Sequence, residues 1–263
     1  MATLTIERLP SGVATLTMSR PEVFNAFDET MIAEMDAAFA ALIDDGAVRI
    51  IVLAGAGKHF SAGADLQWMR RASEASFEWN VNDARRFSAM LARIESCPKP
   101  TVARVHGAAL GGGVGLACAC DIAIASDAAS FSVSEAKFGI LPSVIGPYLV
   151  NAIGKRHARR LALTTERIDA TEALAIGLVQ RVVPAAELDH AIEDTVRHLS
   201  AGGPNAHREI KAYLGQLAVG PVTPEVRELT AQTIARVRGT DEAREGFDAF
   251  LNKRPPKWNV PST

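Results

Sequence analysis

A glycine-rich stretch, Gly107-Ala-Ala-Leu-Gly111-Gly112-Gly113-Val-Gly115, separates a β-branched run over residues 101–105 from an apolar segment over residues 116–120. A strand, a glycine turn and a helix in that order restrict the chain to folds in which a strand feeds a helix at close range. With no side chains in the way, backbone N–H groups at the start of such a helix can approach an anion or a developing oxyanion. A tight packing turn is the simpler alternative. A dinucleotide-binding turn fails in detail, because the glycines are not spaced G-x-G-x-x-G and no acidic residue follows at the required distance. Gly55-Ala-Gly57-Lys58 is likewise no phosphate loop, lacking the four-residue spacer and the hydroxyl residue after Lys58.

Around this turn the first half of the chain alternates strands and helices. Residues 1–10 read as a strand, and residues 13–19, 48–54 and 122–125 are apolar, mostly β-branched runs bounded by turn residues. Met31, Met35, Phe39 and Leu42 recur at helical spacing behind Asp28, which is suited to cap the helix. This is the pattern of an α/β core with crossover helices. Beyond residue 154 strands mostly stop. Asp169-Ala-Thr-Glu172 is a capping box opening a short helix that Gly177 ends. A helical segment follows Pro184, and three more helices close the chain, the last around residues 241–253. The expected organisation is a core over residues 1–200 and a helical module over residues 201–263.

At 263 residues, 48% hydrophobic, the chain can bury a sizeable core, and a net charge of -2 gives no electrostatic case for nucleic acid or an anionic membrane. The helix following Asp28 carries Glu29, Glu34, Asp36, Asp44 and Asp45 with no Lys or Arg. No apolar run approaches the ~20 residues a membrane helix needs, and no secretory leader is evident at the start, so the expected location is the cytoplasm. Cys97, Cys118 and Cys120 make no disulfide frame, and with the scattered histidines they complete no ligand set, so neither a metal nor a cofactor is expected.

Two further segments are candidates for chemistry. Lys58-His-Phe60-Ser-Ala62-Gly63-Ala64-Asp65-Leu66 directly follows a strand, and a short Ala-Gly-Ala turn can aim one N–H into a cleft; an ordinary turn with Asp65 as a cap is the simpler reading. In Phe131-Ser-Val-Ser-Glu135-Ala-Lys-Phe-Gly139-Ile-Leu-Pro142 a carboxylate lies between a strand and a Gly-x-x-Pro turn. Partial burial there would raise its pKa and suit it to proton transfer, whereas a solvated helix-start glutamate is the commoner fate.

In order, Arg20-Pro21-x-x-x-Asn25-Ala26, Phe60-Ser-Ala62-Gly63-Ala64-Asp65, Gly107-x-Ala-Leu-Gly111-Gly112-Gly113, Cys120-Asp121-Ile122, Glu135 and Gly139-x-x-Pro142 strongly resemble the crotonase (enoyl-CoA hydratase/isomerase) superfamily. The resemblance runs from Leu4 to Trp258. It implies a spiral of ββα repeats with a helical C-terminal trimerisation region, assembled as a trimer or dimer of trimers, acting on an acyl-CoA thioester. By motif, the two oxyanion-hole N–H donors fall on Ala64 and Gly112 and an acid/base carboxylate on Glu135. Substrate-contacting positions fall on Ala26, near the sulfur, on Ala62 and Leu66, along the adenine and pantetheine path, and on Asp65, Gly111, Gly115 and Pro142. Phe250 and Lys253 resemble C-terminal groups that help to hold the CoA nucleotide, although helix packing and a solvated lysine are simpler roles.

Hydratases of this family place two glutamates across the substrate double bond, and the first of them falls on Gly115. A glycine inside a helix costs about 1 kcal/mol relative to alanine, so it wants a local reason. Close helix packing is one; space beside the Cα–Cβ bond for a branched or longer acyl group is the other, favoured by the neighbouring triple glycine. Glu135 alone could shuttle a proton between Cα and Cγ, as in a Δ3,Δ2-enoyl-CoA isomerase, or serve both water and Cα in a hydration. Ser134-Glu135-Ala136, Leu141-Pro142-Ser143-Val-Ile-Gly-Pro147-Tyr148 and Asp65-Leu-x-Trp68-Met69 resemble the bacterial 3-methylglutaconyl-CoA hydratase branch, which belongs to leucine degradation. Hydration of a branched enoyl-CoA is therefore the expected activity. A glutaconyl group carries a distal carboxylate that needs a cation; Lys137 is near in sequence, though solvation is its simpler fate. Glu74, Glu78 and Asp83 lie in a segment often mobile in the family, from which a replacement carboxylate could swing in, exposed helix charges being the simpler reading. A catalytically silent binding subunit is the alternative of another class, and the intact Glu135, Ala64 and Gly112 motifs argue against it.

Overall fold

Strands β1 (Leu4–Arg8) and β2 (Val13–Met18) pair antiparallel, Leu4 opposite Met18 and Arg8 opposite Ala14. After helix α1 (Glu29–Asp44), strand β3 (Ile50–Gly55) runs parallel to β2. Helices α2 (Leu66–Glu74) and α3 (Phe77–Glu95) lead to β4 (Thr101–Val105), and a short β5 (Ala108–Leu110) precedes α4 (Gly112–Ala119). Next come β6 (Ile122–Ser126), β7 (Ser130–Ser132), α5 (Gly146–Thr164, interrupted at Gly154), β8 (Ile168–Asp169), α6 (Ala170–Ala175) and β9 (Arg181–Val183). Helices α7 (Leu188–Ala201), α8 (Pro204–Leu214), α9 (Pro224–Arg238) and α10 (Asp241–Leu251) follow. This computed structural model describes residues 3–259; residues 1–2 and 260–263, the outer ends of the expected 1–200 and 201–263 units, lie outside the described residues.

The main sheet has the order β1-β2-β3-β4-β6-β9, all parallel apart from the β1–β2 pair. Ile50–Gly55 shows no apolar alternation in sequence because both faces of its strand are covered. Leu16, Ile51, Leu53, Ala103 and Val105 face a large cluster that contains the buried stripe of α1. Val13, Val52, Val102 and Ile124 face a smaller one closed by Leu188, Ala191 and Ile192 of α7.

A second, three-stranded sheet has the order β5-β7-β8, and single bridges extend its layer from Ala109 to Ser61 and from Ala64 to Phe27. Each turn of the chain thus contributes a strand to the main sheet, a short strand or bridge to the small one, and a helix. This is the expected spiral with its helical C-terminal region. Local signals fixed many of the boundaries: Asp28 Oδ1 accepts from the Met31 N–H, and Asp169 caps α6 from Glu172 N–H, both at 2.8 Å.

Long-range polar ties join the layers. Asp121 accepts from the Thr101 N–H at 2.7 Å and from Lys211 Nζ of α8 at 2.6 Å. Arg49 donates to the carbonyls of Ser200, Gly202 and Trp258, binding the C-terminal region to the base of β3; its Nε is buried without a partner among the described residues. Among the described residues no helix is long and apolar enough to cross a membrane.

Candidate active site

Asn25 anchors the first loop of the site. Its Oδ1 accepts from the Arg20 N–H at 3.0 Å, and its Nδ2 donates to the carbonyls of Ala56 and His59, both at 2.8 Å. The Arg20 guanidinium then donates to Ala26 O at 2.7 Å and to Asp65 Oδ2 at 2.9 Å, and pairs with Asp28. Residues 20–28 are thereby tied to the 56–65 loop, which is the physical content of the Arg-Pro-x-x-x-Asn-Ala motif.

The 61–65 loop in turn lies on the glycine turn. A Cβ on Gly63 would sit 2.7 Å from Leu110 O, and Gly63 has φ +86°, so both contact and backbone demand glycine. Asp65 caps α2 through its Oδ1, which accepts from Gln67 N–H at 2.8 Å. That leaves Ala64 exposed at the loop tip. Among the described residues neither the Ala64 N–H nor the Gly112 N–H, at the first position of α4, donates a hydrogen bond. Gly112 sits so close to the aromatic wall that a Cβ would lie 2.4 Å from Phe27 Cε2.

Glu135 begins a short 3-10 helix (Glu135–Phe138) that follows β7. Its carboxylate rests over Gly111, where an added Cβ would come within 3.2 Å of Oε1. Oε2 is buried and has no hydrogen-bond partner among the described residues. Burial pushes the Glu135 pKa above the ordinary glutamate value, as it does for any carboxyl whose charged form loses water.

These groups border a cavity of about 390 Å³. Ala62, Ala64, Leu66, Gly111, Gly112, Glu135 and Pro142 line it. Of the other expected positions, Asp65 is engaged as a cap and ion-pair partner, and Ala26 is buried beside Arg20. Phe250, 83% exposed, belongs to α10 and Lys253 follows it; neither borders the cavity. Gly115 does not border it either. A Cβ there would fall 2.4 Å from Ile145 Cγ2, the close packing that was one of the two roles expected of this glycine. Asp83 is 5% exposed and held by Trp68 and Arg86, Glu74 pairs with Arg70 at the surface, and Glu78 is exposed in the first turn of α3.

The lining also includes residues that the sequence does not single out, Phe27, Phe87 and Arg167, beside Ser134 and Ile145 of the quoted motifs. Phe27 and Phe87 were hidden because only the fold brings residues 27, 87 and 112 together. Arg167 could have been flagged only by knowing that β8 pairs with β7 next to Ser132. A larger groove of about 1340 Å³ lies across the main sheet beside α7. Several of its charges are paired, as in Arg104–Asp189 at 2.6 Å, and the Ala64, Gly112 and Glu135 groups are not part of it. Among the described residues no group of three or more His, Cys, Asp or Glu is placed to hold a metal.

The family profile described as Enoyl-CoA hydratase/isomerase matches residues 8–261. The chain belongs to the enoyl-CoA hydratase/isomerase family. The solved enoyl-CoA hydratase from Shewanella pealeana is 39% identical, covers 97% of this chain and 96% of its own, and superposes with a TM-score of 0.94. AtuE of Pseudomonas aeruginosa is 40% identical with a TM-score of 0.93, covering 98% of this chain and 100% of its own. The trans-2-decenoyl-[acyl-carrier-protein] isomerase of Streptococcus mutans is 32% identical over 94% of this chain and 95% of its own. Both kinds of reaction therefore occur among relatives of this enoyl-CoA hydratase/isomerase family member.

Proposed function

We propose that the protein adds water to a short, branched 2-enoyl-CoA thioester of the 3-methylglutaconyl-CoA kind. The observation that carries this reading is a buried, uncompensated Glu135 carboxylate beside two unengaged N–H donors in one cavity. The thioester oxygen lies between the Ala64 and Gly112 N–H groups. Glu135 takes a proton from water as the water oxygen bonds to Cβ, and the Cα–Cβ π pair moves into the thioester to form an enolate. The enolate then recovers the proton from Glu135 at Cα. The sum is one water added, with both new bonds on the face that Glu135 occupies. Each oxyanion donor contributes about 2.7–4 kcal/mol to such a transition state.

Arg167 and Lys137 support a carboxylate at the far end of the acyl group, because they bring two cations to an otherwise mostly apolar lining. Incubation with 3-methylglutaconyl-CoA should give a product heavier by one water, and Glu135→Gln should slow its formation by about 10²–10⁴-fold. No mass change with this substrate or crotonyl-CoA would reject hydration.

A second reading, Δ3,Δ2-isomerisation, is favoured by one observation: the volume of a second carboxylate at position 115 is filled by Ile145. Conversion of a 3-enoyl-CoA at constant mass, without hydration, would select it. We also assign the C-terminal helices to assembly into a trimer or dimer of trimers. Among described residues α8 and α9 bury no side chain, and Leu214, Val222, Phe247 and Leu251 stand exposed. Sedimentation would read the assembly, and fractionation a cytoplasmic location.

A further inference from the structure

Helices α2 and α3 meet beside the cavity through one buried polar contact. Trp68 Nε1 donates to Asp83 Oδ2 at 3.0 Å, and Asp83 Oδ1 accepts from Arg86 Nη2 at 2.9 Å. Trp68 is 9% exposed and Asp83 5%. The indole stands edge-on to Phe87, with ring centroids 6.3 Å apart at 82°, and Phe87 lies 5.8 Å from Phe27. Phe27 is the ring packed against Gly112, so an aromatic wall runs from the oxyanion donor to Trp68, and all three rings line the cavity.

A buried carboxylate costs free energy unless it is paired and hydrogen-bonded. A phenylalanine at 68 against an apolar residue at 83 would pack without that cost. What the pair supplies is a fixed indole orientation, since one hydrogen bond at a defined ring atom selects one rotamer among several that apolar packing alone would tolerate. The Asp65 carboxylate caps the same turn at the Gln67 N–H, so the backbone beneath Trp68 is fixed as well. An aromatic wall suits the hydrocarbon end of a thioester and not the amides of its pantetheine arm.

We propose that Trp68 sets the length of acyl chain that the cavity admits, and that Asp83 is the positioning residue that holds it there. This rests on the acyl-CoA reading above. Sequence reasoning considered Asp83 as a mobile stand-in for a missing carboxylate; its two hydrogen bonds assign it to the wall instead.

The test compares binding of two unreactive ligands, butyryl-CoA and decanoyl-CoA, by calorimetry to the full-length protein and to Trp68→Ala, Trp68→Phe, Asp83→Asn and Asp83→Ala. Turnover of crotonyl-CoA and 2-decenoyl-CoA is measured alongside, and folding is checked by circular dichroism. Trp68→Ala should shift the decanoyl-to-butyryl affinity ratio about tenfold or more towards the longer chain. Asp83→Ala should shift it the same way by less, and Asp83→Asn, whose amide oxygen still accepts from the indole, should restore the parent ratio. Trp68→Phe, which keeps most of the volume, should behave like Asp83→Ala. An unchanged ratio in folded Trp68→Ala or Trp68→Phe, with both ligands bound, overturns the proposal and leaves the acyl-CoA reading standing. Failure of the parent protein to bind either ligand overturns both.

Discussion

Ile145 occupies the space that any side chain at position 115 would enter: a Cβ on Gly115 would lie 2.4 Å from Ile145 Cγ2 and 2.9 Å from its Cβ. The two residues therefore constrain each other across the contact between α4 and the start of α5, and a carboxylate at position 115 requires Ile145 to move.

Gly115→Glu alone should destabilise the fold by about 1–3 kcal/mol or more, the usual cost of overpacking. Combined with Ile145→Ala, the loss should shrink. The coupling is read from denaturant midpoints of the two single variants and the double. In the double variant crotonyl-CoA hydration should rise if the new carboxylate reaches water, while isomerisation gains nothing from it.

Glu135→Gln should lower turnover by about 10²–10⁴-fold, the range for a lost general acid/base. It should also change the dependence of stability on pH. Burial raises the folded-state pKa of Glu135, so the folded protein holds this proton more tightly than the unfolded chain. Stability from that proton is full below about pH 4.3, the unfolded value, and is lost as pH rises through the folded pKa. Parent and Glu135→Gln should match in melting temperature at low pH, and the variant should become the more stable above it. Parallel curves would contradict a raised Glu135.

Ala64→Pro removes an N–H that bonds to nothing among the described residues. Activity should fall about 10²–10³-fold, with the circular dichroism spectrum retained. A fall confined to KM would mean that this N–H holds the ground state and not the enolate.

Arg167→Gln should raise KM for 3-methylglutaconyl-CoA and leave crotonyl-CoA nearly unaffected, because only the first substrate carries a distal carboxylate. Equal effects on both would place the guanidinium on the CoA side of the cavity.

Features that depend on neighbours in sequence could be read in advance. Asp28 and Asp169 cap where the sequence says they should, since an N-cap hydrogen bond spans three residues. The order of motifs carried the fold and the Ala64, Gly112 and Glu135 constellation. For Gly115 the sequence leaves packing and acyl space both open, because the nearest atoms belong to Ile145, thirty residues on, and a glycine in a sequence does not disclose whether it makes room for a ligand or for a side chain. Trp68 and Asp83 meet from different helices, a contact that periodicity within either helix cannot reveal. The strand over residues 48–54 begins two residues later than its apolar run suggests, because Val48 turns into the core ahead of the ladder.

Arg49 gives the assembly of this fold an order in time. Its carbonyl acceptor at Trp258 lies 209 residues further along, so a ribosome working at about 5–20 residues per second makes the cation some ten to forty seconds before it makes that partner. Its Nη2 acceptors, the carbonyls of Ser200 and Gly202, are made earlier, so Nη1 alone waits for Trp258. A chain that stops short of Trp258 keeps the two Nη2 bonds and leaves Nη1 to water, so the last tie between the C-terminal segment and β3 closes only when synthesis is almost done.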